Sequence, residues 1–235
     1  MSYSLFFIRP LLTLLALLST ASTYAIYLDS TIFDMEEHQD FIARTMRNDT
    51  GHSNLYTISG WKIATPGDGN EARVAGGEKE LLWSPLRFVM QPDGQEFFKL
   101  FYRGPKDSVE RYYRVVFTET PISVIPWRNE AGKTDVVPVV AMSSLLVVRP
   151  RNTQLKFTVD EASGTLRNTG NTYFRVILQR GCNGNDESST QFYMLPGETW
   201  QGPEAKENNK KYIVALGRYH PLGNGCFSST SSALD

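Results

Sequence analysis

The chain has 235 residues, 24 basic against 25 acidic side chains, a mean hydropathy of -0.30 and two cysteines. A balance this close to neutral gives no push toward nucleic acid or an anionic membrane. Beyond the N-terminal leader, no stretch is apolar enough to span a bilayer, so no membrane insertion is expected.

Arg9 precedes the apolar run Leu11 to Leu18, and Ala21-Ser22-Thr23-Tyr24-Ala25 ends in small residues. Residues 1–25 therefore read as a secretory signal peptide cleaved after Ala25, its apolar core too short for a stable membrane anchor. Without Arg9 the basic count falls from 24 to 23 against 25 acidic residues, a formal net charge of -2. The 235 - 25 = 210 residues left exceed the usual single domain and fit two of roughly 100 each.

From Ile26 the chain reads as short strands: Ile26 to Phe33, Phe41 to Asn48 and Leu55 to Ile63, with turn signals at 48–51, 66–70 and 76–77. Between Leu81 and Pro121 lie four more. Leu81-Leu82 stop at Ser84-Pro85, Leu86 to Met90 at Gln91-Pro92-Asp93-Gly94, Phe97 to Tyr102 at Gly104-Pro105, and Tyr112 to Phe117 at Pro121. β-Branched and aromatic residues crowd these runs, and none is long enough for an amphipathic helix. After an irregular segment at 123–134 comes the longest apolar run, Val136 to Val148. Seven or eight short strands at close spacing predict an immunoglobulin-type sandwich, with Tyr112 or Tyr113 suited to a tyrosine corner.

Arg149-Pro150-Arg151 and the polar Asn152-Thr153-Gln154 mark an inter-domain hinge. The second half repeats the style with runs at Leu155 to Val159, Gly164 to Asn168, Tyr173 to Leu178, Gln191 to Leu195 and Lys211 to Leu216. Both cysteines, Cys182 and Cys226, lie here, and in an exported chain an even count points to a disulfide between them. The fold expected is all-β, two immunoglobulin-like sandwiches set at an angle: residues 26–150 with the long strand, and 151–235 with the disulfide.

Catalytic patterns are missing from the sequence. It has no Gly-x-Ser-x-Gly, phosphate loop or His-Glu-x-x-His, its histidines at 38, 52 and 220 are scattered, and no Cys-x-x-Cys offers a metal site. Neither an enzyme nor a cofactor is expected. His38 lies in the charged run Asp34 to His38, which reads as a solvated turn, and the tryptophans read as core or rim aromatics. The long strand holds the functional promise. Apolar residues on both faces imply cover on both sides, yet Pro138 argues against a central position because it removes a ladder donor. An edge strand of this composition needs a partner to pair with it.

Several spaced motifs occur together: the apolar strand ending Pro92-Asp93-Gly94, FYRGP at 101–105, ERYYRVVF at 110–117 with Pro121 beyond it, VVAMSSLLVVRPR at 139–151 and GTLRNTGNTYFRV at 164–176. In this order they resemble the periplasmic pilus chaperones, in particular the alternative branch serving the common pilus. The resemblance covers essentially the whole mature chain. It implies a periplasmic protein that donates a strand to pilin subunits lacking their last one and passes them to an outer-membrane usher, without nucleotide. The donated row would be Val136, Pro138 and Val140, or at the other parity Val137, Val139 and Ala141. The better-known branch anchors the subunit's terminal carboxylate on an arginine and a lysine. Here Ser30 and Leu145 stand at those places, which leaves Arg114 as the first candidate, with Arg44, Arg47, Arg149 and Arg151 behind it. A secreted fimbrial subunit or adhesin built from the same sandwich is the alternative.

Overall fold

The computed structural model describes residues 26–67, 71–122, 139–206, 208–223 and 226. Among the described residues lie sixteen strands and two short 3-10 turns. Nine strands precede residue 149: β1 (Ile26–Leu28), β2 (Ile32–Met35), β3 (Phe41–Asn48), β4 (Asn54–Ile63), β5 (Leu81–Ser84), β6 (Arg87–Met90), β7 (Gln95–Tyr102), β8 (Arg111–Pro121) and β9 (Val140–Val148). They form two sheets, β1-β3-β7-β5 and β2-β9-β8-β4-β6. Strict alternation fills the space between them: Tyr113, Val115 and Phe117 of β8 point inward, as do Phe33, Phe98 and Leu100 from other strands. Phe98 meets Phe33 and Phe117 edge-on, with centroids 5.7 and 4.8 Å away.

The run at 26–33 is two strands rather than one. β1 pairs antiparallel with β3 in one sheet, and β2 pairs parallel with β9 in the other. The break falls where the Ser30 hydroxyl donates to the Ile32 carbonyl and accepts from its N–H, a local bonding that competes with the ladder and lets the chain switch sheets. The tyrosine corner also differs. The hydroxyls of Tyr112 and Tyr113 donate to Glu110 and Glu80, whereas Tyr102 reaches a backbone oxygen, that of Pro105, at 2.9 Å.

Past the connection at 149–156, seven strands make the second sandwich: β10 (Phe157–Asp160), β11 (Thr165–Asn168), β12 (Phe174–Leu178), β13 (Thr190–Met194), β14 (Thr199–Gln201), β15 (Lys211–Ala215) and β16 (Arg218–Pro221). The sheets are β10-β11-β14 and β13-β12-β15-β16, closed over Leu166, Phe174, Val176 and Ile213. β14 and β16 give no strand signal in the sequence, being only three and four residues long with little apolar content. Cys182 and Cys226 form a disulfide. His38 lies exposed in the turn after β2.

Candidate functional site

The geometry of β9 follows from its two neighbours. Along one side it pairs with β8 over its whole length, from Glu119 opposite Val140 to Arg111 opposite Val148. Along the other, β2 covers only Leu145 to Val148. From Val140 to Ser144 that second edge is unpaired among the described residues. The N–H groups of Leu145 and Arg149 donate to the carbonyls of Thr31 and Met35 at 2.8 and 3.0 Å, so odd-numbered residues aim their backbone polar groups at this side. Ala141 and Ser143 therefore present theirs at the open edge. Of the candidate donor residues, Val136, Val137 and Pro138 lie outside the described residues. Val139 and Val140 are 57% and 40% exposed, and Ala141 is exposed as well.

Side chains sort by the same period of two. Met142, Ser144, Leu146 and Val148 turn toward the first core, placing Val140 on that row, while Ser143, Leu145 and Val147 face a cleft between the sandwiches. Across the cleft-facing side of the sheet run small residues, Thr57–Thr118–Ala141 and Ser59–Val116–Ser143, and then the larger row Trp61–Arg114–Leu145. The cleft has a volume of about 350 Å³ and is walled from the second sandwich by Tyr173, Tyr193 and Leu195. At its base Ile63, Tyr112 and Val147 are buried against Tyr173 and Leu195, joining the two units through an apolar contact.

Arg114 lines this cleft. Its Nε donates to Glu71 Oε2 at 2.6 Å and a second nitrogen to Oε1, a bidentate pair in which the Glu71 side chain is 12% exposed. The guanidinium beside it holds the Glu71 carboxyl below the usual range, aided by the Gly67 N–H. Arg149 is enclosed. It lies within 3.0 Å of Asp34, 3.5 Å of Glu36 and 3.8 Å of Glu110, donates to the Thr172 hydroxyl, and sits 4.7 Å above the Tyr173 ring. Glu110, buried in turn, accepts from Tyr112, Thr172 and the Tyr173 N–H, and burial pushes its carboxyl up against the pull of those bonds. Arg151 donates to the backbone oxygens of Glu37 and Gln39 and to Asp40. Arg44 and Arg47 stand on β3, in the opposite sheet, where Arg44 donates to the Ala43 carbonyl and Arg47 to Asp49. The structure thus gathers Arg114 with the free edge of β9 and keeps the β3 arginines apart from it. Ser30 and Leu145 fall at the two sides of the β2–β9 join. Glu71 and Glu110, the carboxylates that hold the two inward arginines, carry no sequence signal beyond a charge beside a turn and a charge at the start of an apolar strand.

No protein-family model matches the chain. Among curated proteins it is 33% identical over 226 residues to the probable fimbrial chaperone EcpE of Escherichia coli O18:K1:H7, covering 96% of this chain and 95% of that one. The chain belongs to the fimbrial chaperone family. A second relative in it, the probable fimbrial chaperone EcpB of Klebsiella pneumoniae strain 342, is 28% identical over 77% of this chain and 82% of its own. The fold agrees with solved chaperones. The E. coli chaperone DraB superposes with a TM-score of 0.54 at 15% identity, over 85% of this chain and 96% of that one. A structure of the Salmonella enterica SafA pilin in complex with the SafB chaperone matches with a TM-score of 0.52 at 17% identity, over 86% of this chain and 97% of that chain. Membership in this family sets aside the structural-subunit alternative.

Proposed function

We propose that this fimbrial chaperone works in the periplasm after loss of residues 1–25, captures a pilin subunit by lending it β9 and the residues just before it, and releases the subunit at an outer-membrane usher. The observation that carries the reading is the edge from Val140 to Ser144, which is unpaired among the described residues. It opens beside a cleft and continues into exposed Val139 and Val140, an arrangement that aggregates unless a strand is added to it. Val136, Pro138 and Val140 are the donated row. Val140 extends the larger apolar row of β9, whereas the opposite parity ends in Ala141 and Ser143, which fill little of a groove. Arg114 anchors the subunit's carboxylate. It is the candidate arginine that lines the cleft, and its grip on Glu71 is the geometry that a terminal carboxylate would adopt.

Coexpression with the fimbrial subunit tests both parts. Seating a valine side chain contributes roughly 1.5–3 kcal/mol and burying an unpaired carboxylate costs more, so Val140→Glu should abolish subunit rescue. The variant's own melting midpoint should move little, because Val140 is 40% exposed. A large fall in that midpoint would transfer the donated row to Val137, Val139 and Ala141. Full rescue by both Val140→Glu and Val139→Glu would overturn strand donation.

A further inference from the structure

The second sandwich carries an outward row of side chains whose near end, Tyr193, lines the cleft, and strand donation leaves that row without a role. In β13-β12-β15-β16 the residues Phe174, Val176, Ile213 and Ala215 point to the core, so the alternate set points outward. One cross-strand row of that set runs through all four strands: Tyr193 opposite Arg175, Arg175 opposite Val214, Val214 opposite Tyr219. Tyr193 is 50% and Tyr219 67% exposed.

Each ring packs on one neighbouring tyrosine. Tyr193 packs on Tyr173 with centroids 5.9 Å apart, and Tyr173 is itself fixed by a 3.0 Å bond from its hydroxyl to Asp34 and by Arg149 above it. Tyr219 packs on Tyr212 at 5.3 Å, whose hydroxyl donates to Asp186. Arg175, between them, donates to the side-chain oxygen of Gln191. The row is continuous with the cleft: Tyr173 and Tyr193 line the space under β9, and an adjoining groove carries the surface over Arg175 and Val214 to Asp34 and Arg149.

We propose that this row is a second docking wall for the same subunit that β9 captures, gripping the outside of the subunit through an apolar surface that carries a carboxylate facing Arg175. The proposal rests on the chaperone reading above. Main-chain pairing along β9 is indifferent to side chains, so discrimination between subunits falls to the donated row and to the walls of the cleft. Tyrosines flanking an arginine are the residue types that concentrate binding energy at interfaces, and a tyrosine, with two side-chain torsions, loses little entropy on contact.

The experiment measures competition between wild-type chaperone and variants for the coexpressed fimbrial subunit, with Val140→Glu run in parallel. Tyr193→Ala combined with Tyr219→Ala should weaken capture by tenfold or more, and Arg175→Glu by a similar factor. Wall variants within twofold of wild type, beside a Val140→Glu that captures nothing, would overturn the wall and leave strand donation standing. A Val140→Glu protein that still captures normally would remove strand donation itself. Should the double variant not fold, nitration of the wild-type protein gives the answer. Tyr193 and Tyr219 should react in the free chaperone and be protected in the complex. Equal reaction in both states, or protection arising from a chaperone dimer that excludes the subunit, would refute the proposal.

Discussion

Arg114 and Arg149 both sit beside apolar strands, and what separates them is how completely their charge is used. Arg149 is 4% exposed and meets three carboxylates, one of them the buried Glu110, so Arg149→Ala should cost about 3–5 kcal/mol by stranding those charges. A denaturation curve reads this directly, and the loss should appear without any subunit present. Arg114 is more open and has one carboxylate partner among the described residues. Arg114→Ala should cost a smaller amount, about 1.5–3 kcal/mol for a charged hydrogen-bonded pair, while subunit capture fails. A protein that stays folded and captures normally would rule out Arg114 as the anchor. The pair also makes a pH signature. The Glu71 carboxyl is lowered in the folded state, so its contribution is complete above the ordinary carboxylate pKa and is lost as pH falls through the depressed value. Wild type should therefore exceed Glu71→Gln in stability at pH 7, and the gap should close in acid. A gap that persists unchanged to pH 2 would contradict the pairing.

Strand β9 is asymmetric as an element, and proline can read the asymmetry. Ala141 turns its N–H to the open edge, whereas Met142, opposite Phe117, turns its own to β8. Ala141→Pro removes a donor that has no ladder partner among the described residues, and edge positions tolerate proline. It should melt near the wild-type temperature and lose subunit capture. Met142→Pro removes a ladder bond and disturbs a side chain packed on the first core, so the fold itself should weaken by about 3 kcal/mol or more. Equal melting of the two variants would mean that the register described for β9 is wrong.

Across the whole molecule, stability is divided between two sandwiches that meet through the Ile63, Tyr112 and Val147 cluster and the network around Arg149 and Glu110. The disulfide belongs to the second sandwich alone. Closing 44 residues of sequence separation contributes about 4 kcal/mol in the chain-entropy model. Reduction should thus lower the unfolding transition reported by the second unit, through Trp200, before the one reported by Trp83 and Trp61 in the first. A single transition that shifts as a whole would show instead that the shared cluster couples the two units tightly.

The order of residues along the chain dictates the elements and their class. Turn residues at fixed intervals, period-two alternation in runs such as Tyr112 to Phe117, and two cysteines in one half depend on near neighbours in the chain, so the residues alone make them legible. The unusual character of Val136 to Val148 is legible in the same way, because apolar residues on both faces combined with a proline conflict with any fully covered strand. Packing in three dimensions sets which strands share a sheet and how far β2 extends along β9. Among the described residues it is that last limit which leaves Val140 to Ser144 open. Packing also sets the partners of the arginines and their carboxylates, since Glu71 is 43 residues from Arg114, and Thr172 is 62 from Glu110. Pairings at such separations are set by loop closure and by burial of the two cores together, and neither leaves a trace in local composition.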